Sequence, residues 1–246
     1  PVSSSGHLEI AKYILGDQYA AEENLMMTVI LHFATGLATL YVFRSEIREI
    51  FKGITRVNSP SQVYTLKIIL SMFPAGIIGY FFQDQLKLLF DERIILVGIC
   101  LLITGILLLI ANKSKTTDRN IKWMDALLIG LAQAIALLPG ISRSGATIST
   151  SVILGIDRQD SAQFSFLMVL PLIFLKIGDD LWNLRFSGMD SEWMLYLILG
   201  FTAAFLTGIV ACQWMIRLVN NFKLNFFSFY CFAVGAFAIL FGWINS

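Results

Sequence analysis

The chain alternates between long apolar runs and short polar segments, and the runs have the length of membrane-spanning helices. A helix needs about 20 consecutive apolar residues to cross the ~30 Å hydrocarbon core of a bilayer. Six runs reach or approach that length, namely 25–43, 63–82, 94–111, 162–178, 193–215 and 226–244. The pattern predicts an all-α integral membrane protein, a polytopic helical bundle with six spanning helices.

Two further stretches, 1–16 and 123–156, are apolar only in part. Each is broken by a proline that is followed by a serine-rich turn with glycine. Backbone that leaves helical geometry at membrane depth is tolerated only where it is buried in protein or lines a wet cavity. We therefore expect two re-entrant helix hairpins in addition to the six spans.

The loops on the two sides of the predicted bundle differ in their content of lysine and arginine. Cytoplasmic loops are the ones enriched in these residues. Eleven of them fall on one side, in the loops 44–62, 112–122, 157–161 and 216–225, and four fall in the loops on the other side. The first side is therefore expected to be cytoplasmic.

With the spans arranged in this way, a broken segment followed by three spans occurs twice along the chain. The two copies enter the membrane from opposite faces. We expect a single membrane domain over 1–246, built as an inverted-topology repeat. Its halves are 1–111, whose N-terminal part is missing, and 112–246. Inverted repeats with discontinuous helices carry a polar site where the broken helices meet. One site shared by both broken segments is predicted.

The amino-acid composition limits which classes of function are possible. Hydrophobic residues make up 57% of the chain and charged residues 14%, which excludes an ordinary soluble enzyme and argues against a nucleic-acid partner. The formal net charge is +1, so no overall field attracts anions and any anion site must be local.

The second broken segment contains the parts of such a local site. A Pro139-Gly140 turn precedes a polar run whose hydroxyls, guanidinium and backbone N–H groups match a phosphate cradle. The run consists of Ser142, Arg143, Ser144, Gly145 and Thr147. An arginine in apolar sequence costs a few kcal/mol unless it is paired or faces a cavity, so Arg143 indicates an anionic ligand. The alternative is that Arg143 snorkels or neutralises a structural carboxylate.

The first broken segment offers Ser3, Ser4, Ser5, Gly6 and His7. Capping of the following helix alone could explain the serines. Three consecutive serines exceed what one cap needs, however, and His7 can titrate near neutral pH. Both segments contain Ser-x-Ser-Gly, which strengthens the expectation of a shared site.

Together, the two motifs Pro1–His7 and Pro139–Thr147 closely resemble those of the undecaprenyl-diphosphate phosphatase family, the bacitracin-resistance (BacA/UppP) type. The resemblance extends over essentially the whole chain. It implies an enzyme of the bacterial cytoplasmic (inner) membrane that hydrolyses undecaprenyl diphosphate to undecaprenyl phosphate and inorganic phosphate. This reaction recycles the lipid carrier of cell-wall synthesis. The family's active site opens to the periplasmic side.

The resemblance also implies roles for individual residues. Ser4 and His7 take part in the reaction and Arg143 contacts the phosphates. Ser3, Ser5 and Gly6 join the residues of the second motif in binding phosphate. Two chemical routes stay open: His7 attacks phosphorus, or Ser4 or a water attacks while His7 moves the proton.

A cofactor and partners follow from the same resemblance. The family generally requires a divalent cation, Mg²⁺ in the first place with Ca²⁺ as the alternative. Its acidic motif directly precedes the Pro-Val-Ser-Ser stretch, whereas this chain starts at Pro1, so the metal ligands are unknown. Gln133, at the matching position of the second repeat, is too weak a ligand to replace them. The expected partners are a polyprenyl diphosphate lipid and membrane lipids, with a homodimer left open.

A different class of function competes with this interpretation. Inverted repeats with broken helices are typical of secondary transporters. A lipid-phosphate flippase or transporter could use the same arginine–serine cradle without cleaving its ligand.

Overall fold

The computed structural model describes residues 1–15, 21–56, 59–82, 85–86, 89, 94–183, 191–221 and 224–244. The named elements of this described part are all helices. In chain order they are α1 (Ser4–Leu15), α2 (Ala21–Val42), α3 (Arg44–Gly53), α4 (Pro60–Phe81), α5 (Ile94–Lys113), α6 (Trp123–Ile135), α7 (Arg143–Ile153), α8 (Arg158–Asn183), α9 (Ser191–Asn220) and α10 (Leu224–Ile244).

Five of these helices, α4, α5, α8, α9 and α10, are long and apolar enough to cross a membrane. Each coincides with a predicted span, so the chain is a polytopic helical membrane protein. The remaining predicted span, 25–43, corresponds to α2, whose described apolar part is the shorter stretch Val29–Val42. The total of six spans therefore stays a prediction.

The predicted interruption of the second segment is present, whereas for the first segment the structure shows only the start of a helix after Pro1. The chain is not helical over 1–3, before α1, and the second segment divides into α6 and α7 around 136–142. Gly140 has φ +93° within this break, a conformation that glycine adopts without the steric cost other residues incur. That each segment enters and leaves the membrane on the same face remains a prediction.

One helix was not foreseen. We expected 44–62 to be a loop, but α3 occupies its first half and has no buried residues. Its basic residues Arg44, Arg48 and Lys52 are interspersed with Ile47, Ile50 and Phe51. It is therefore an amphipathic helix that is too short and too polar to give a hydropathy signal.

Close packing of α5 against α10 forms the centre of the fold. A Cβ on Gly98 would lie 2.8 Å from the Gly235 carbonyl oxygen, so only glycine fits at this crossing. Seven residues further along α5, Gly105 accepts a 2.6 Å hydrogen bond at its carbonyl from the hydroxyl of Ser228. Small residues and interhelical hydrogen bonds are what hold helices together in lipid. The position of α10 relative to α5 is therefore fixed at Ser228 and again at Gly235.

Arg119 joins the two ends of the second broken segment, the start of α6 and the residue after α7. Arg119 Nη1 lies 2.6 Å from Asp125 Oδ2 in the first turn of α6, and Arg119 Nη2 donates to the carbonyl of Leu154 just after α7. The backbone N–H of Lys122 also donates to Asp125. Burial opposes ionisation of Asp125, but these hydrogen bonds outweigh it and lower its pKa below the ordinary value.

Candidate active site

The two broken segments meet at a pair of glycines. A Cβ on Gly6 would lie 3.0 Å from the Cα of Gly140 and 3.4 Å from Val97 Cγ1 of α5. A Cβ on Gly140 would lie 2.5 Å from the carbonyl oxygen of Val97 and 2.8 Å from Cys100 Cβ. The absence of side chains at both glycines therefore lets the start of α1 and the turn before α7 approach each other over α5.

Thr104 of α5 holds the second turn in place. Its hydroxyl donates to the Cys100 carbonyl at 3.0 Å and accepts the backbone N–H of Ser142 at 3.1 Å. The residue is completely buried. Sequence reasoning missed Thr104, although a lone hydroxyl inside a very apolar span was a usable signal.

Helices α1 and α7 begin with the same cap hydrogen bond, although the capping serines differ in backbone conformation, with φ 64° at Ser3 and −72° at Ser142. Ser3 Oγ accepts the N–H of Gly6 at 3.2 Å, and Ser142 Oγ accepts the N–H of Gly145 at 3.1 Å. In each case a serine caps the helix through the N–H three residues later. The equivalence of the caps makes the next residue in each motif equivalent too, so that Ser4 corresponds to Arg143.

Ser4 and Arg143 are the first residues of their helices, and both are exposed. Neither side chain has a hydrogen bond or an ion pair within the part of the chain that the structure describes. Arg143 therefore does not neutralise a carboxylate among the described residues, which was the alternative considered from the sequence. A free hydroxyl and a free guanidinium stand at equivalent places.

The other predicted cradle residues are engaged to different degrees. Ser3 and Ser5 lie 3.3 Å apart through their hydroxyls. Thr147 is buried, and its hydroxyl lies 2.8 Å from the Arg143 carbonyl and 2.6 Å from Ser165 Oγ. Ser144 is half-buried. The hydroxyls of Ser3, Ser142 and Thr147 thus contribute to the architecture of the two helix starts.

His7 lies one turn into α1 with both ring nitrogens engaged. Nδ1 is 2.7 Å from the carbonyl oxygen of Ser3, and Nε2 is 2.8 Å from the hydroxyl of Tyr230 on α10. Because a carbonyl oxygen can only accept, Nδ1 carries a proton. In the neutral ring the lone pair therefore lies on Nε2, where it accepts the Tyr230 hydroxyl, so Nε2 can act as a base or nucleophile only when that hydroxyl turns away.

The electrostatics of the site favour an anion. The N-terminal end of a helix carries a partial positive charge and unpaired N–H groups. Here two such ends converge, and the Arg143 guanidinium adds a full positive charge. A hydroxyl, an imidazole lone pair and a guanidinium at two helix N-termini are the components needed for phosphoryl transfer.

The same residues do not fit a resident divalent cation. Among the described residues, no group of three or more His, Cys, Asp or Glu side chains could hold a metal ion. Gln133 is buried and neither atom of its amide has a hydrogen-bond partner in that part of the chain, but one neutral amide is not a ligand set for Mg²⁺. No chemical step is therefore assigned to a metal.

A family of known proteins matches almost the whole chain. The family described as "Bacitracin resistance protein BacA" matches residues 1–237. This chain belongs to the BacA family. The match confirms the resemblance drawn from the two motifs, both of which lie inside it.

Relatives named undecaprenyl-diphosphatase match nearly the full chain. An undecaprenyl-diphosphatase of Christiangramia forsetii is 54% identical over 245 residues, which are 99% of this chain and 92% of the relative. The undecaprenyl-diphosphatase of Bacteroides fragilis is 42% identical over 244 residues (98% and 91%). That of Methanococcus vannielii is 37% identical over 247 residues (98% and 93%). These names do not favour the flippase or transporter alternative.

Proposed function

We propose that this chain is an undecaprenyl-diphosphatase, which hydrolyses undecaprenyl diphosphate to undecaprenyl phosphate and inorganic phosphate and so recycles the lipid carrier of cell-wall synthesis. The relatives that share 37–54% of its residues bear that name. The observation that carries the proposal is the convergence of two helix N-termini, with Ser4 and Arg143 at equivalent positions, neither partnered by another described residue, and with His7 one turn into α1.

Charge neutralisation is the first requirement of the reaction. The diphosphate carries several negative charges, and its hydrolysis separates them as the bridging P–O bond breaks. Arg143 can contact two phosphate oxygens through its fork of N–H groups. The N–H groups at the starts of α1 and α7 add fixed donors that need no reorganisation during the reaction.

The attacking group is Ser4, a water or His7 itself. In the first route, Ser4 Oγ attacks the terminal phosphorus, its proton passes to His7 Nε2, and undecaprenyl phosphate leaves with the electrons of the bridging bond. A water then releases phosphate from the serine. A water can take the place of Ser4 Oγ in this route and then gives phosphate directly. In the second route, Nε2 attacks the terminal phosphorus, undecaprenyl phosphate leaves with the electrons of the bridging bond, and a water then hydrolyses the phosphohistidine. All of these need the lone pair on Nε2, which the Nδ1–H···O=C bond to Ser3 places on that nitrogen and which the Tyr230 hydroxyl must release.

Rapid acid quenching of turnover with substrate labelled at the terminal phosphate separates the routes. A phosphoserine survives acid, whereas a phosphohistidine is hydrolysed by acid and survives alkali. Label that persists on the protein in acid and is lost in Ser4→Ala supports serine attack. Label that survives only in alkali and persists in Ser4→Ala supports His7 attack. The absence of both, with activity retained in Ser4→Ala, supports direct attack by water.

The proposed location is the bacterial cytoplasmic (inner) membrane, with the site open to the periplasmic or extracellular side. The 13 residues of α6 span about 20 Å at 1.5 Å per residue, against a ~30 Å hydrocarbon core. This length supports a site nearer the side opposite to the lysine- and arginine-rich loops. A membrane-impermeant maleimide should label Ser4→Cys in intact spheroplasts. Labelling only in inverted vesicles would contradict this orientation.

The direct test of function is phosphate release from undecaprenyl diphosphate by the purified full-length protein in detergent. Arg143→Ala should reduce release by at least about 100-fold, because it removes a charge that binds the developing anion. Arg48→Ala, which removes another exposed arginine, from α3, should leave release unchanged. A folded wild-type protein that releases no phosphate would refute the proposal.

A divalent cation, Mg²⁺ before Ca²⁺, and assembly as a homodimer remain further parts of the proposal that derive from the family resemblance. Chelation, described in the Discussion, tests the cation. Light scattering of the purified protein with detergent correction gives the oligomeric state.

A further inference from the structure

Tyr230 connects α10 to the catalytic end of α1, although 223 positions separate it from His7. Its hydroxyl lies 2.8 Å from His7 Nε2. The two rings are also stacked, with centroids 5.5 Å apart and an interplanar angle of 11°. The phenol therefore holds the imidazole in two ways, through its ring face and through its hydroxyl.

The direction of this hydrogen bond follows from the other side of the imidazole. Because Nδ1 donates to the Ser3 carbonyl, Nε2 of the neutral ring is an acceptor and the Tyr230 O–H donates to it. When the ring gains a proton on Nε2, the same phenol oxygen can accept the new N–H. One hydroxyl can thus hold the ring in both protonation states.

We propose that Tyr230 is the positioning residue of His7: its hydroxyl donates to Nε2 and so fixes the ring orientation and the tautomer in which Nε2 is the basic nitrogen. The proposal rests on the proposed phosphatase function for its kinetic consequence. Its structural content, a Tyr230–Nε2 hydrogen bond that sets the state of His7, does not depend on that function.

Burial does not force this contact. Tyr230 is 46% exposed, so its hydroxyl could turn outward without the cost of a buried unpaired group. The backbone around it is nonetheless tightly placed. Ser228, two residues earlier, donates to the Gly105 carbonyl, and Gly235 packs against Gly98. Helix α10 therefore presents the phenol to His7 from a fixed support.

Tyr230→Phe tests the proposal, because it keeps the ring that stacks and removes only the hydroxyl. We expect kcat to fall about tenfold, in proportion to one lost hydrogen bond to the reacting group, while KM changes by less than about twofold because the phosphate cradle is intact. Tyr13→Phe is the matched control, since Tyr13 also bridges α1 and α10 through its ring contact with Phe241. It should retain wild-type kinetics.

The second readout is ¹⁵N NMR of histidine-labelled protein in detergent. The chain has two histidines, so His32→Gln assigns the spectrum. In wild type at neutral ring charge, Nδ1 should show the shift of a protonated nitrogen and Nε2 that of an unprotonated, hydrogen-bonded one. In Tyr230→Phe the Nε2 resonance should move towards the free unprotonated value, while Nδ1 and the Tyr13→Phe spectrum stay unchanged.

These outcomes separate the inference from the function on which it rests. If wild type releases no phosphate, the function fails, and the NMR shifts alone decide whether Tyr230 holds His7. If wild type is active, an unchanged kcat or an unchanged Nε2 resonance in Tyr230→Phe overturns the inference. A protonated Nε2 in the neutral ring of wild type overturns it without any variant.

Discussion

Replacing Gly140 by alanine should damage the site more than any other single methyl group added near it. The residue has φ +93°, which costs a non-glycine residue about 1–2 kcal/mol. The new Cβ would also lie 2.5 Å from the Val97 carbonyl oxygen and 2.8 Å from Cys100 Cβ. Neither atom is the end of a flexible side chain, so the turn itself must move, at a further ~1–3 kcal/mol.

Movement of this turn displaces Arg143 relative to Ser4, because α7 begins three residues after Gly140. Displacements near 1 Å at a reacting centre can cost about 100-fold in rate. We therefore expect Gly140→Ala to lower the free energy of unfolding by about 2–5 kcal/mol and phosphate release by roughly 100-fold. Denaturation in detergent and the phosphate-release assay measure the two effects.

Gly155→Ala is the matched control, because it carries the backbone cost of a positive φ without a steric clash at the new Cβ. Gly155 has a similar φ of +88°, but the nearest atom to its added Cβ is Arg119 Nε at 3.9 Å. It should show the backbone cost alone, about 1–2 kcal/mol, and nearly normal activity. If Gly140→Ala behaves like Gly155→Ala in both assays, the close approach of the turn to α5 does not govern the site and the reasoning is wrong.

Three further predictions test the surroundings of the site. Thr104→Val removes the acceptor of the Ser142 N–H and should cost about 1–3 kcal/mol of unfolding free energy, whereas Thr104→Ser should cost less in the same denaturation assay. Asp125→Asn should cost about 1–2 kcal/mol at neutral pH, because it breaks a partly buried ion pair with Arg119. The folded state depresses the pKa of Asp125, so the carboxylate stabilises the fold above its unfolded pKa, and the gap between wild type and Asp125→Asn should narrow below about pH 4. The described residues supply no ligand set for a divalent cation, so chelation tests the cation expected from the family resemblance: loss of phosphate release in EDTA with recovery in Mg²⁺ is the outcome that the resemblance implies, and activity that persists in EDTA would remove the cation from the proposal.

The helices were predictable because a bilayer imposes a length on every span. The run 63–82 became α4, and 226–244 became α10, each displaced by only a few residues at its ends. The break at Gly140 was predictable because proline and glycine interrupt helices. In contrast, α3 was missed because an amphipathic helix at the polar end of the bundle leaves no long apolar run.

The site was predictable in its motifs and less so in its contacts. Arg143 and His7 stand out because charged and titratable groups are rare in apolar sequence. Tyr230 does not stand out, because hydropathy fixes where a span lies and not its rotation about its own axis. For the same reason Thr147 was grouped with the phosphate-binding hydroxyls, whereas its hydroxyl turns inward to Ser165.

The two equivalent helix starts differ in the side chain that each presents at its first position. Ser3 and Ser142 cap α1 and α7 through the same N–H, three residues later, so both helix starts can attract an anion through the backbone. The first residue then distinguishes them: Arg143 supplies charge at one end, and Ser4 supplies a hydroxyl at the other. A diphosphate held between the two ends would therefore meet a fixed cation on one side and the reacting groups on the other. Under the proposed function, the arginine at the start of α7 and the hydroxyl at the start of α1 account for this asymmetry.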